Sequence, residues 1–190
     1  MIPDVEIKRK IVHLSTLSIP VGVTLLSKKQ VLTIVIPLTL VWVAVDLLRL
    51  IHPAISNVFQ RTLVGKVLRE KERHALMGST YFLISTCLII VLFPKSIAIA
   101  SLLILILSDT CAALVGKSIG RVPIFGKTVE GSTAFFLSAL MIVWLTPGLN
   151  RVAGSLAALG ATLVELLPIG VDDNFSIPLV AGTIMFFAGG

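Results

Sequence analysis

The sequence predicts an all-α fold: a polytopic membrane bundle of about seven spanning helices with its N-terminus in the cytoplasm. Mean hydropathy is +1.02, with 56% hydrophobic and only 14% charged residues, whereas about a quarter of positions are charged in a soluble domain. Apolar runs recur along nearly all 190 residues, near the ~20 residues that cross a ~30 Å hydrocarbon core. Lysine and arginine crowd into alternate loops. A single transmembrane domain over 1–190 is expected, with little length left for a separate soluble domain.

The first apolar run, 11–26, follows Lys8, Arg9 and Lys10. A charged start of this kind also opens a signal peptide, but no small-x-small cleavage site follows, so it reads as a retained span. Further spans are expected at 31–48, 76–93, 97–116, 132–146, 152–167 and 177–190. The polar residues inside the first run, His13, Ser15 and Thr16, suit a helix facing protein rather than lipid on all sides. Between the second and third runs, segment 46–75 mixes apolar residues and cations at helical spacing, as expected of a cytoplasmic interfacial segment.

With the N-terminus inside, twelve of the 16 basic residues fall on the cytoplasmic side and Lys28, Lys29, Lys95 and Arg151 outside. This bias orients the bundle. The net charge of +6 lies in short loops beside apolar segments, which argues against nucleic acid as a partner. Cys87 and Cys111 lie inside apolar runs without metal-ligand spacing, so neither a zinc site nor a disulfide framework is expected. Matching halves with interrupted helices, the mark of many transporters, are absent. The longer loops share one side, which points to chemistry at the membrane interface.

Asp109 is the most informative residue. It lies about two turns inside the fourth run, where an ionised carboxylate costs ~3 kcal/mol even on insertion scales. It either pairs with a cation from a neighbouring helix or handles a cation or phosphate. The row Asp109, Ala113, Gly116 and Gly120 has little side-chain bulk; such rows let two helices approach closely or line a backbone cleft. The loop 116–131 that follows contains Gly116, Lys117, Gly120, Arg121, Gly126, Lys127, Thr128, Glu130 and Gly131, with Ser132 just beyond. Glycines, cations and hydroxyls at a helix start suit phosphate. A Walker motif is excluded, because five residues rather than four separate Gly120 from Gly126 and no strand precedes. Other polar groups open or join spans: Lys10 and His13; Glu72, Arg73, His74 and Tyr81; Glu165; and Asp172, Asp173 and Asn174. Each also has a bland reading, as topological anchor, core hydrogen bond or helix start.

The order of these groups resembles the CTP-dependent lipid kinase family, which includes dolichol kinase, phytol kinase and fungal CTP-dependent diacylglycerol kinase. The resemblance rests on Arg9, Lys10 and His13; on Glu72, Arg73, Gly78 and Tyr81; on Asp109 to Gly116; on Lys127 to Ser132; and on Glu165, Asp173, Asn174 and Pro178. The block from Asp109 to Ser132 is also similar to phosphatidate cytidylyltransferases, but the Lys-Asp helix and His-Gly-Gly signature of those enzymes are missing. Against eukaryotic dolichol kinases, the chain matches the C-terminal catalytic core.

The resemblance implies transfer of phosphate from CTP to a membrane lipid alcohol, with a polyprenol or dolichol-type acceptor expected ahead of diacylglycerol. It implies Mg²⁺ held by Asp109 with Glu130 or Asp173, catalytic roles for Asp109, Lys127, Glu130 and Asp173, and nucleotide contacts from Gly116, Lys117, Gly120, Arg121, Gly126, Thr128, Gly131, Ser132 and Asn174. Lys10, His13, Arg73, His74, Tyr81 and Glu165 are expected to serve the lipid or assist. A homo-oligomer is compatible with the sequence. A cytidylyltransferase-like enzyme and a membrane transporter are the competing readings.

Overall fold

The computed structural model describes residues 4–62, 64–65 and 68–189. The carboxylates of Asp4 and Glu6, residues Leu63, Lys66 and Val67 of the expected interfacial segment, and Gly190 lie outside the described residues. The described chain is helical: α1 (Asp4–Ser15), α2 (Ser18–Leu25), α3 (Lys28–Ile51), α4 (Pro53–Gln60), α5 (Gly78–Leu92), α6 (Lys95–Leu103), α7 (Asp109–Ile119), α8 (Val129–Leu145), α9 (Arg151–Leu166) and α10 (Asp173–Gly189). A 3₁₀ turn (Glu70–Arg73) precedes α5 and a π turn (Ile104–Ser108) joins α6 to α7. A small hairpin, β1 (Pro123–Ile124) and β2 (Lys127–Thr128), precedes α8.

Among the described residues two helices are long and apolar enough to cross a bilayer, α3 and the continuous Lys95–Ile119, while α5 and α8 are shorter apolar helices. Ile34, Leu38, Leu40 and Val41 of α3, Leu137, Met141 and Leu145 of α8, and Phe187 of α10 are exposed. An apolar surface this extensive suits lipid as the surrounding solvent. The core is close-packed around Phe135, Ile89, Ile90, Leu102 and Ile104 to Ile106, with Ala98, Ala100, Ala139, Ala157, Ala158, Ala161 and Ala181 at helix crossings. Such small residues let membrane helices approach closely where no hydrophobic force draws them together.

The expected first span, 11–26, is in fact two helices broken at Thr16 and Leu17. Pro20 has no N–H to continue the ladder, and the chain closes the first helix with tighter bonds, Thr16 N to His13 O at 3.1 Å and Leu17 N to Leu14 O at 3.0 Å. The interfacial segment also differs from expectation. α3 runs on through Asp46 to Ile51, so Asp46 and Arg49 sit inside a long apolar helix. Their mutual ion pair, 2.6 Å from Arg49 Nη2 to Asp46 Oδ1, makes this tolerable.

Pro178 interrupts α10 without bending it away from its neighbours. Its missing N–H releases Asn174 O, which accepts from Ser85 Oγ of α5 at 2.7 Å. At the end of the bundle remote from Asp109, cations close helices. Lys28 Nζ donates to Phe93 O at 2.8 Å, Lys95 Nζ to Thr24 O at 2.8 Å, and Arg151 to Trp144 O. Each meets carbonyls left without helical partners and complements the helix dipole.

Candidate functional site

The site begins where the fourth apolar helix changes pitch. The π turn at Ile104–Ser108 ends at Asp109, and π turns of this kind re-aim the residues that follow them. Lys10 of α1 meets Asp109 there, its Nζ donating to Asp109 Oδ2 at 2.5 Å and to Asp109 O at 3.1 Å. His13, one turn along the same face of α1, places Nε2 3.7 Å from Asp109 Oδ2 and 3.5 Å from Leu105 O. The pairing reading of Asp109 is therefore observed, with Lys10 as the partner and His13 beside it.

A second charged group forms where the hairpin meets α9 and α10. Lys127 Nζ lies 3.0 Å from Glu165 Oε1 and 3.1 Å from Asp173 Oδ2, and donates to Glu165 O. Glu165 is otherwise satisfied by Ser132 Oγ at 3.0 Å. Burial pulls the Lys127 ammonium down, but the carboxylates of Asp173 and Glu165 outweigh it and hold its pKa above the ordinary lysine value. Burial raises the Asp173 carboxyl; Lys127 offsets part of this, while Asp109 and Asp172 add to it.

Asp109 and Asp173 open onto one cleft, also lined by Arg9, Lys10, His13, Arg69, Glu72 and Asn174. Val12, Val64, Leu68 and Phe82 add an apolar side. A cleft with carboxylates, several cations and an apolar flank suits an anionic ligand carrying a metal beside an amphiphile.

Asp172 and Asn174 set the start of α10. Asp172 Oδ1 accepts from Asn174 N at 3.1 Å and Asn174 Nδ2 at 2.8 Å, as a capping residue does. Gly78 passes so close that a Cβ there would lie 2.8 Å from Asn174 Nδ2.

The glycine-rich loop is built differently from a simple helix-start cradle. It is a hairpin with Phe125 and Gly126 at φ 48° and 80°, positive at both central positions as a two-residue type I′ turn requires. Gly126 thus supplies the turn. Gly131 N is taken by Thr128 Oγ1 at 3.2 Å, and Val129 N by Val122 O at 3.0 Å. Amides expected to face phosphate are consequently used within the loop. A Cβ on Gly116 would lie 2.9 Å from Thr128 Oγ1, one on Gly120 2.7 Å from the same atom, and one on Gly131 2.9 Å from Ala112 O. These glycines let α7 and α8 touch.

Glu130, expected at the metal, turns to the loop instead, its Oε1 accepting from Arg121 N at 3.0 Å and Val122 N at 3.3 Å. Hydrogen bonds from its own backbone, and then from those two amides, hold its carboxyl below the ordinary glutamate value. Lys117 and Arg121 are exposed, and neither lines the cleft. Arg73 pairs with Glu70 at 3.2 Å, His74 is exposed, and Tyr81 packs edge-on against Phe175.

Several cleft residues were not singled out from the sequence as site residues. Arg9 and Glu72 belong to motifs recognised there, and that membership was the available signal. Arg69 and Met77 carried none, because a loop position shows no periodicity that distinguishes a cleft from solvent, and Ser79 in the first turn of α5 carried none either.

No family model and no solved structure matches the chain. It is 36% identical to an uncharacterized protein of Rickettsia prowazekii, over 93% of this chain and 91% of that one. It is 29% identical to CTP-dependent diacylglycerol kinase 1 of Schizosaccharomyces pombe, over 74% of this chain and 73% of the relative. A probable chloroplastic phytol kinase 1 of Glycine max is 30% identical over 75% of this chain and 54% of its own length.

Proposed function

We propose that this chain, which belongs to the CTP-dependent lipid kinase family, transfers the terminal phosphoryl group of CTP to the hydroxyl of a membrane lipid alcohol. The observation that carries this reading is the shared cleft, in which Asp109 and Asp173 come together with Arg9, Lys10, His13 and Arg69. Phosphoryl transfer asks a protein mainly for positioning and for charge stabilisation on the transferred group.

Mg²⁺ fits the donors. This ion is commonly held by one or two carboxylates and completed by substrate phosphates rather than by an all-protein cage. Among the described residues no group of three or more His, Cys, Asp or Glu could form such a cage. Asp109 and Asp173 would hold the ion, which when bound neutralises phosphate charge. Arg9, Lys10 and Arg69 bind the phosphates, and Lys127 orients Asp173 from the hairpin. Asp109 and Asp173 are the carboxylates nearest the acceptor's hydroxyl, and a loose transition state asks little of either as a base. Glu130 and the loop glycines act by shaping the hairpin that delivers Lys127.

The acceptor presents a hydroxyl at headgroup depth while its chain follows Val12, Val64, Leu68 and Phe82. Diacylglycerol and an isoprenoid alcohol both meet that description. Relatives named for diacylglycerol and for phytol support a glycerolipid acceptor and an isoprenoid acceptor alike. The arrangement in the bilayer is a multi-pass bundle of about seven spans with the cleft at the cytoplasmic face, supported by the uneven distribution of the 16 basic residues and the positive-inside rule.

The test uses purified protein in lipid nanodiscs with CTP labelled in the terminal phosphate, ATP as a control, and diacylglycerol, phytol and polyprenol as acceptors. Labelled lipid phosphate and CDP are expected. Pyrophosphate with a cytidylylated lipid would identify a cytidylyltransferase instead. Solute flux into vesicles without CTP turnover would identify a transporter.

A further inference from the structure

Asp46 and Arg49 of α3 are buried, yet neither lines the cleft. A charged pair inside an apolar helix is costly, since desolvation tends to outweigh the attraction between its members. What this pair holds explains its place. Asp46 Oδ1 accepts from Arg49 Nε at 2.6 Å. Asp46 Oδ2 accepts from Met77 N at 2.9 Å and from Thr80 Oγ1. Arg49 spends its remaining donors on two carbonyls, Nη1 on Glu72 O at 2.9 Å and Nη2 on Ala75 O at 2.8 Å. Its guanidinium also sits 5.6 Å over the Phe59 ring of α4.

These bonds converge on the stretch of chain that forms one wall of the cleft. Arg69, Glu72, Met77, Gly78 and Ser79 all line it. Glu72, once placed by Arg49, accepts from Arg69 N at 2.8 Å through one oxygen and from Gly78 N at 2.9 Å through the other. Trp42, one turn before Asp46 on α3, donates from Nε1 to Ser79 Oγ at 3.2 Å. The stretch has only a single 3₁₀ turn of regular structure before α5, so its own backbone bonds fix little of its course. Asp46, Arg49 and Trp42 supply that constraint from a long apolar helix outside the segment.

We infer that Asp46 and Arg49 are positioning residues for the cleft: they pin segment 69–80 so that Arg69 and Glu72 face the nucleotide, and they set affinity for CTP without touching it. The effect on CTP rests on the kinase reading above; the pinning of the segment does not. Lys10, Asp109, Lys127 and Asp173 stand on other elements, so loosening this wall should weaken binding more than it slows the chemical step.

Three variants test this in the full-length protein in nanodiscs: Asp46→Asn, Arg49→Lys, and the double variant Asp46→Leu with Arg49→Met. The double variant replaces the pair with apolar groups of similar bulk, which commonly preserves folding. The expected result is a KM for CTP raised about tenfold in each folded variant, the consequence of misplacing one charge-assisted hydrogen bond, with kcat changed less than about threefold. Hydrogen exchange supplies an arm that needs no turnover. The amides of segment 69–80 should exchange faster in the variants while those of Lys95–Ile119 stay unchanged. Faster exchange without CTP turnover in the wild type would uphold the pin and reject the kinase reading. Wild-type KM together with wild-type exchange in folded variants would overturn the inference. So would loss of folded protein in all three with unchanged KM in the remaining folded fraction, since the pair would then serve stability alone.

Discussion

Removing the charge of Asp109 should have two separable consequences. The Lys10 and Asp109 side chains are 8% and 28% exposed and meet at 2.5 Å. Taking one partner from a buried pair costs roughly 3–5 kcal/mol, because the other charge stays buried and unpaired. The partial exposure of Asp109 lowers this to about 2–3 kcal/mol for Asp109→Asn. Lys10→Met together with Asp109→Asn removes the stranded ammonium and should recover much of the loss, giving a coupling energy of about 1–3 kcal/mol in a double-mutant cycle. Activity should not follow stability. Asp109→Asn should lower turnover of CTP by at least about a hundredfold, the usual cost of one preorganised electrostatic group, and the double variant should remain as inactive. Thermal unfolding in nanodiscs measures the first quantity, and release of CDP with a lipid alcohol present measures the second. Turnover above about a tenth of wild type in Asp109→Asn, a change of under ~1.4 kcal/mol in barrier, would refute a metal-holding role. Recovery of activity in the double variant would show that Asp109 matters only as the partner of Lys10.

Lys127→Ala should abolish phosphorylation and, by leaving the buried Glu165 with only Ser132 and its own helix for company, lower the unfolding temperature; normal turnover in a folded variant would remove Lys127 from the site. Gly131→Ala should destabilise by ~1–3 kcal/mol through overpacking, since its Cβ would meet Ala112 O at 2.9 Å and the α7 backbone cannot yield cheaply; unchanged thermal stability would favour a purely ligand-contacting role. Glu130→Gln should retain most of the turnover, because the side chain binds loop amides rather than facing the cleft, and its activity in a Mg²⁺ titration should superimpose on the wild type. The pH dependence of Glu130 has a definite sign. Its folded pKa is depressed, so its stabilising contribution is present above the unfolded value of 4.5 and disappears as pH falls through the lower folded value. The difference in unfolding temperature between Glu130→Gln and wild type should therefore be visible at pH 7 and close only below pH 4.5.

Much of the architecture was legible because it follows from hydropathy. Helices stand over each apolar run, and at the second, fourth and fifth runs the expected bounds fall within a few residues of α3, of Lys95–Ile119 and of α8. What escaped were features set by individual backbone bonds. A π turn leaves the residue pattern apolar throughout, so Ile104 to Ser108 read as ordinary helix. Pro20 has no N–H to give, but a membrane span tolerates proline, and only the bonds at Thr16 and Leu17 decide where the ladder parts. At the site, the charge of Asp109 inside an apolar run announced itself; Lys127, Glu165 and Asp173 were each legible as candidates, but their meeting was not, since Lys127 stands 38 and 46 positions from the other two. The direction of Glu130 did not, since a carboxylate at the first turn of a helix looks the same whether it faces a metal or its own loop. Asp46 and Arg49 were visible as charges, but their partners lie at Met77, Thr80, Glu72 and Ala75, beyond any local periodicity.

The two ends of the bundle use cations for opposite ends, and the contrast explains how a charged cleft can exist before a ligand arrives. At the remote end Lys28, Lys95 and Arg151 donate to main-chain carbonyls; these bonds finish helices and have no reason to exchange. Around the cleft Lys10 and Lys127 donate to the carboxylates of Asp109, Glu165 and Asp173. Without those ammonium groups the partly buried Asp109 and Asp173 would lose their ion pairs and Glu165 would keep only Ser132. On our proposal a metal-bound nucleotide offers equivalent partners to the groups that line the cleft, the cation to Asp109 and Asp173 and a phosphate to Lys10, while Lys127 keeps Glu165. Binding then becomes an exchange of ion pairs at nearly constant charge. That exchange is available only where the cation can swing away from its carboxylate, which suits the flexible four-carbon stem of lysine. Arginine, with its fixed fork, occupies position 49, where the partners must not change.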